Sequence, residues 1–241
     1  MKPKPQVLEV WGDFACFSRP ELKVERFSYP IITPSAARGI FDAIYCKPNK
    51  DPSQAQFRWQ ITKIEMLAPV AYIALRRNEV GSVASVANIK QWMKGVSAPQ
   101  PLMIEEAQQR QTMALKNVRY RLTAEIRPFP GHESKRQALE AQFIRRAMQG
   151  KCFHQPCFGC REFPAYYEYV ELGYGKAQTV NYTQDLGMML YDVFDLRTPN
   201  NSFAPPFISL FHAEVRSGIL EIPAYESEQV LKPDLAGGRN P

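Results

Sequence analysis

The chain lacks several features that would reveal a function at once. No apolar run among its 241 residues approaches the ~20 that a membrane-spanning helix needs. The first residues contain no apolar signal-peptide core. There is no Gly-rich phosphate loop, no dinucleotide-binding fingerprint, no HExxH and no GxSxG motif. The five cysteines are an odd number, which argues against a complete disulfide framework. We therefore expect a cytoplasmic protein with reduced thiols and no membrane partner.

A zinc site has little support in this sequence. Cys152, His154, Cys157 and Cys160 could supply four ligands. Structural zinc sites, however, usually pair two ligand groups that are about a dozen or more residues apart, and these four lie close together around a proline. No pair of carboxylates stands out as a site for another metal. Unliganded thiols are the favoured interpretation, and we expect no cofactor.

The composition indicates a soluble protein that has an anionic partner. Hydrophobic residues make up 45% of the chain and charged residues 22%, which is ordinary for a globular protein. The net charge of +6 favours nucleic acid over a membrane surface, although a merely solvated basic surface is the alternative. The 20 prolines favour turns and edge strands over a helical bundle.

The hydrophobic patterns predict an α+β protein. A strand is predicted over Gln6–Trp11, followed by a loop over Gly12–Pro20 and a helix that begins at Pro34. Arg58–Leu75 contains two strands, and a short helix follows. The regular strand Leu115–Arg127 is next. The remaining predicted elements are a helix over Ser134–Gln149, capped by Ser134, and short strands within Glu162–Leu172, Gly187–Leu196 and Phe207–Ile222.

This order of elements is typical of a ferredoxin-like, or RNA-recognition-motif-like, N-terminal domain. We assign residues 1–165 to that domain. Residues 166–241 are assigned to a small antiparallel β domain with a frayed tail.

The segment Arg26–Pro48 is the most informative part of the chain. Thr33 is a candidate N-cap, and Pro34 fits the first helical position. The apolar residues that follow recur at helical spacing and predict a core-facing stripe, made of Ile40, Phe41 and Ile44. Arg38 and Tyr45 remain outside this stripe. The pattern alone leaves Tyr45 open between a packing role and a functional one.

The strand Leu115–Arg127 alternates an apolar face with a face that carries three arginines. Arg119, Arg121 and Arg127 share the second face. Such a face could follow a nucleic-acid phosphate backbone, or it could be the solvated face of an antiparallel sheet.

Four segments of the chain resemble one known family. They are FSRPELKVERFSYPIITPSAARGIFDAIYCKP at Phe17–Pro48, RWQITKIEML at Arg58–Leu67, QRQTMALKNVRYRLTAEI at Gln109–Ile126 and GCREFPAYYEYVE at Gly159–Glu171. Together they resemble the subtype I-C (Dvulg) CRISPR-associated protein of the RAMP superfamily, the fifth Cas family, in the variant that processes precursor CRISPR RNA.

The resemblance implies a metal-independent endoribonuclease. Such an enzyme cuts the repeat hairpin by attack of the RNA 2′-OH, which leaves a 2′,3′-cyclic phosphate and a 5′-OH end. It then keeps the 5′ tag as a subunit of the surveillance complex. The family site is a tyrosine at the end of the first helix with a lysine–histidine pair at a strand start. Tyr45 and Lys116 match the tyrosine and the lysine, and Asn117 stands in the histidine position.

Asn117 keeps two functions open. Asparagine can hydrogen-bond but cannot shuttle a proton, so a non-catalytic subunit that binds the 5′ tag is the alternative. In a regular strand Lys116 and Asn117 would also point to opposite faces unless a bulge intervenes. Duplex DNA is a further candidate partner.

Candidate RNA-binding residues are chosen by type and position. They are Arg26, Arg38, Arg110, Arg119, Arg121, Arg161, Trp11 and Phe17. For each arginine the alternative is a surface ion pair, and for each aromatic residue it is a place in the core.

Overall fold

The computed structural model describes residues 3–22, 25–46, 55–80, 85–96, 107–171, 173, 177–199 and 206–233. Within these ranges the first half of the chain contains β1 Gln6–Ala15, β2 Arg26–Phe27, α1 Pro34–Ile44, β3 Phe57–Met66, β4 Tyr72–Val80 and α2 Val86–Met93. The second half contains β5 Ala107–Pro128, α3 Arg136–Met148, β6 Tyr166–Val170, β7 Gln184–Asp192, β8 Ser209–Arg216, β9 Ile219–Glu221 and β10 Val230–Leu231. The tail is predicted over Lys232–Pro241, and from residue 234 onward it lies outside the described residues.

The strands form one mostly antiparallel sheet in the order β10-β8-β9-β3-β5-β1-β6. Strands β2 and β4 also pair with β5, and β7 pairs with β8. The central order β3-β5-β1-β6, with α1 after β1 and α3 after β5, is the ferredoxin-like arrangement. The predicted α+β class is therefore confirmed. Strand β6 joins the sheet through β1, whereas β7 to β10 join through β9 and β3. The domain boundary at 165/166 stays a prediction.

The first helix forms as its sequence predicts. The Thr33 hydroxyl accepts a hydrogen bond from Ala36 N at 3.3 Å, and Pro34 occupies the first turn. Ile40, Phe41 and Ile44 are all fully buried. The aromatic centre of the core lies beneath this helix. There the ring centroid of Phe41 is 4.9 Å from that of Trp59 and 5.6 Å from that of Phe143.

Several element boundaries differ from the prediction, and three of them have a clear cause. Strand β1 continues to Ala15 because β5 pairs with it as far as Leu115, so the predicted loop at Gly12 starts later. Strand β5 begins at Ala107 because β4 pairs with it along its first part. Ser134 does not cap α3, since it lies inside the 3-10 turn Glu133–Lys135 that precedes the helix. No helix among the described residues is long and apolar enough to cross a membrane.

Candidate functional site

Tyr45 lies at the end of the sheet where β3 begins. It follows the last residue of α1, and its carbonyl oxygen accepts a hydrogen bond from Trp59 Nε1 at 2.8 Å. Its ring centroid is 5.4 Å from that of Phe57, the first residue of β3. Phe57 in turn pairs with Pro128, the last residue of β5. Tyr45 is only 3% exposed and belongs to the hydrophobic core. Tyr45 therefore has the packing role, which is one of the two roles that its sequence pattern allows.

The charged groups around the Tyr45 phenol come from α3. Burial raises the pKa of Tyr45 above its ordinary value, while the nearby guanidinium groups of Arg146 and Arg145 act in the opposite direction. Arg146 is fixed in place because its Nε donates to the Ile44 carbonyl at 2.8 Å and its guanidinium lies 4.1 Å from the ring centre of Phe153. A phenol with a raised pKa keeps its proton at neutral pH. It can donate a hydrogen bond but is a poor base.

Lys116 and Asn117 lie near the middle of β5, side by side and both exposed. Lys116 pairs with Phe14 of β1, and its backbone N–H donates to Ala71 O at 2.9 Å. Asn117 has a φ of 52°, in the left-handed region that asparagine tolerates better than most residues. The two exposed residues are flanked by buried Leu115 and Val118. The strict alternation that would place Lys116 and Asn117 on opposite faces is therefore interrupted here.

The structure does not bring the three predicted catalytic residues together. Tyr45 is at the Phe57–Pro128 end of the sheet, whereas Lys116 pairs with Phe14. At ~3.3 Å per residue, the strand from Lys116 to Pro128 spans roughly 40 Å. The sequence could not show this separation because it contains no information on the strand register. Arg145 and Arg146, which sequence analysis did not propose, are the cations that act on Tyr45.

Arg38 is held in a buried ion-pair network. Its Nε lies 2.7 Å from Asp192 Oδ2 and its Nη2 lies 3.1 Å from Asp192 Oδ1. It also pairs with Asp42, one turn further along α1. Burial alone would lower the pKa of Arg38, but the two carboxylates raise it. The guanidinium therefore links α1 to β7.

Two of the arginines on β5 share one buried carboxylate. Arg121 Nη2 lies 2.8 Å from Glu9 Oε1 and also donates to Ala177 O at 2.9 Å. Arg119 Nη2 lies 2.9 Å from Glu9 Oε2. Burial would raise the pKa of Glu9, but these hydrogen bonds lower it below its ordinary value. Both arginines are therefore ion-paired, and Arg119 is the half-exposed member of the two.

A cavity of about 550 Å³ beside the start of α1 brings together three of the predicted RNA-binding residues, Phe17, Arg26 and Arg161. Ser18 and Ser35 also line it. Phe17 is buried and meets Tyr120 and Phe158 edge-on, so it has the core role. Arg110 lies elsewhere, on β5 opposite Arg77 of β4.

Trp11 occupies an exposed position on β1, opposite Arg119 of β5 and Tyr166 of β6. Sequence analysis did not select Tyr166. The alternating YYEYV of β6 would have indicated one outward-facing tyrosine, but its register with Trp11 is visible only in the structure.

The part of the chain that the structure describes contains no group of three or more His, Cys, Asp or Glu side chains able to hold a metal ion. Cys157 instead lies in a bridge with Pro164, and Cys160 is next to Cys16.

Comparisons with known proteins add the following findings. The model of a family described as CRISPR-associated protein (Cas_Cas5), named Cas_Cas5d, matches residues 7–222. A protein of Mannheimia succiniciproducens named CRISPR pre-crRNA endoribonuclease Cas5d is 38% identical, over 93% of this chain and 97% of its own length. A protein of the same name from Thermus thermophilus is 36% identical, over 93% of this chain and 94% of its own length. A solved structure titled Crystal Structure of CRISPR-associated Protein has the same fold, with a TM-score of 0.64 and 17% identity over 95% of this chain and 97% of its own.

Proposed function

Because the chain belongs to the Cas5d family of CRISPR-associated proteins, we propose that it is an endoribonuclease that cleaves the repeat hairpin of precursor CRISPR RNA. The observation that carries this proposal is the 38% and 36% identity, over 93% of the chain, to two proteins named for that activity. We further propose that the protein is of subtype I-C, acts in the cytoplasm, keeps the 5′ tag and assembles with the other subunits of a surveillance complex. Duplex DNA is a further proposed partner.

The proposed cleavage needs no metal ion because RNA supplies its own nucleophile. The 2′-oxygen forms a bond to the adjacent phosphorus as the 2′-OH gives its proton to a solvent water molecule. The bond from phosphorus to the 5′-oxygen breaks, and that oxygen takes up a proton. The products are a 2′,3′-cyclic phosphate and a 5′-OH end. The protein aligns these atoms and stabilises the charge that develops on the phosphate.

Tyr45 is proposed as the hydrogen-bond and proton donor of this reaction. Its raised pKa suits a group that stays protonated at neutral pH. Arg145 and Arg146 are proposed to add positive charge beside the phosphate. Lys116 and Asn117 remain proposed site residues, although they lie on a separate surface of the chain. There Lys116 can supply a charge to a second phosphate of the same RNA.

A second candidate function is that of a non-catalytic subunit that binds the 5′ tag. Two observations favour it: Tyr45 is almost fully buried, and it lies far along β5 from Lys116. The left-handed backbone of Asn117 also gives this residue a conformational reason to be asparagine.

Point variants assayed on a repeat-hairpin RNA distinguish the two functions. Tyr45→Phe removes only the hydroxyl, and we expect it to slow cleavage ~10²–10⁴-fold with little change in RNA binding. Tyr169→Phe is the matched control, because Tyr169 also packs against the core and is not part of the proposed site. Lys116→Ala tests the proposed contact between Lys116 and a second phosphate of the RNA. Cleavage by the wild type together with full activity of Tyr45→Phe would refute the role of Tyr45. Tight RNA binding by the wild type without any cleavage would establish the second function.

A further inference from the structure

Three side chains form a ladder across adjacent strands on one face of the sheet. Trp11 of β1 is the register partner of both Arg119 of β5 and Tyr166 of β6. The ring centroids of Trp11 and Tyr166 are 6.4 Å apart with an interplanar angle of 29°, and the Arg119 guanidinium carbon lies 5.9 Å from the Trp11 ring centre. We call Trp11, Tyr166 and Arg119 the aromatic ladder.

The aromatic ladder faces away from the helices. Tyr169 of β6 points toward α3, where its ring meets that of Phe143, and it pairs with Leu8 of the core. Trp11 is an odd number of residues from Leu8, so it lies on the other face. There Trp11 is 37% exposed and Tyr166 is 52% exposed. Single exposed aromatic residues are common on protein surfaces, but here two neighbouring rings and a guanidinium form one exposed cluster.

The aromatic ladder is held rigidly in place. The carboxylate of buried Glu9 binds Arg119 at 2.9 Å and Arg121 at 2.8 Å, which fixes the guanidinium over Trp11. The segment before β6 packs tightly on β1, because a Cβ atom at Gly12 would lie 2.7 Å from Pro164 O. A preorganised surface loses little conformational entropy when a ligand binds.

We propose that the aromatic ladder is a stacking platform for unpaired bases of single-stranded RNA, which deepens the proposed function by naming where the unpaired tag is held. Exposed aromatic rings on a sheet bind splayed bases, whereas the bases of an A-form duplex are not available for stacking. The carboxylates of Glu9 and Glu168, register partners on the same face, disfavour a site that relies on phosphate contacts alone. Base stacking therefore carries the affinity of this site, and the site is tolerant of base sequence.

Binding of a fluorescein-labelled oligo(U) decamer, measured by anisotropy, tests the platform. We expect Trp11→Ala and Tyr166→Ala each to weaken binding roughly 5- to 150-fold, and Trp11→Phe to restore most of the loss. A blunt RNA duplex should be bound equally by all of these variants. Phe194→Ala is the matched control, since Phe194 is also 37% exposed but lies outside the aromatic ladder. Wild-type affinity for oligo(U) in both alanine variants would overturn the proposal. That is also the result expected if the aromatic ladder instead docks another protein.

A second measurement needs no change in the aromatic ladder. In a Trp92→Phe background the two remaining tryptophans are Trp11 and the fully buried Trp59. Oligo(U) should quench the emission of Trp11 with the same midpoint as the anisotropy titration, and an unchanged emission would overturn the platform.

Cleavage of the repeat hairpin is scored separately. Weaker oligo(U) binding in the variants of a protein that does not cleave would support the platform and refute the enzymatic proposal. Normal cleavage together with unaltered oligo(U) binding in the variants would refute the platform alone.

Discussion

Removing the Arg38 guanidinium should destabilise the fold and leave RNA binding unchanged. Arg38 is 15% exposed at its side chain and Asp192 is 1% exposed. The two side chains make a two-pronged contact of 2.7 and 3.1 Å that ties α1 to the strand β7. The variant Arg38→Met keeps much of the side-chain volume and removes the charge, so its effect reports on the ion pair.

The magnitude follows from what remains around Asp192. Removal of one partner of a buried ion pair typically costs ~3–5 kcal/mol, because the other charge is left unpaired. Asp192 Oδ1 would still accept hydrogen bonds from Val193 N at 2.8 Å and Phe194 N at 3.0 Å. We therefore expect a cost near the lower limit, ~3 kcal/mol. For a chain of this length that corresponds to a decrease in Tm of about 6–12 °C.

The assay is thermal and urea unfolding at pH 7, followed by circular dichroism, with RNA affinity measured on the same samples. Arg216→Met is the matched control, since Arg216 pairs with Glu214 at the surface, where an ion pair is worth ~0–1 kcal/mol. The double variant Arg38→Met/Asp192→Leu should recover part of the lost stability. An unchanged Tm for Arg38→Met together with weaker RNA binding would refute the structural role and restore Arg38 to the RNA-binding surface.

Three further predictions concern the sheet. Glu9→Gln should lower the free energy of unfolding by ~1–3 kcal/mol at neutral pH. Because the folded-state pKa of Glu9 is lowered, this difference from the wild type is fully present above the unfolded-state pKa and should shrink as the pH falls below about 4.5. A constant difference from pH 7 to pH 3 would contradict this prediction. Asn117→Gly should fold as stably as the wild type, while Asn117→Ala should lose ~1–2 kcal/mol from its left-handed backbone, and equal urea midpoints for both would contradict this. Gly12→Ala should cost ~1–3 kcal/mol in the same urea assay because its Cβ would lie 2.7 Å from Pro164 O, and wild-type stability would contradict it.

Local signals in the sequence were sufficient for much of the fold. The cap at Thr33, the proline after it and the apolar spacing of Ile40, Phe41 and Ile44 predicted α1 as the structure has it. The end of β1 was missed because Gly12–Pro20 has the composition of a loop, and only pairing with β5 keeps it extended. A strand that is stabilised by a distant partner carries no local sign of that partner.

The candidate site was harder to predict for the same reason. The partner of Arg38 is 154 residues away in the sequence, and the partner of Arg121 is 112 residues away. Residue type alone therefore suggested RNA contacts for side chains that the structure places in ion pairs. The distance between Tyr45 and Lys116 likewise depends on strand register, which neither motif nor composition encodes.

The most direct test of the proposed function is cleavage of the repeat-hairpin RNA by the purified protein in excess EDTA. The proposal predicts one cut, with a 2′,3′-cyclic phosphate on the upstream fragment and a 5′-OH on the downstream fragment, identified by mass spectrometry. A 2′-deoxy substitution at the cut position should abolish the reaction, because it removes the nucleophile. Cleavage that requires added Mg²⁺, or that proceeds on the 2′-deoxy substrate, would contradict the proposed chemistry.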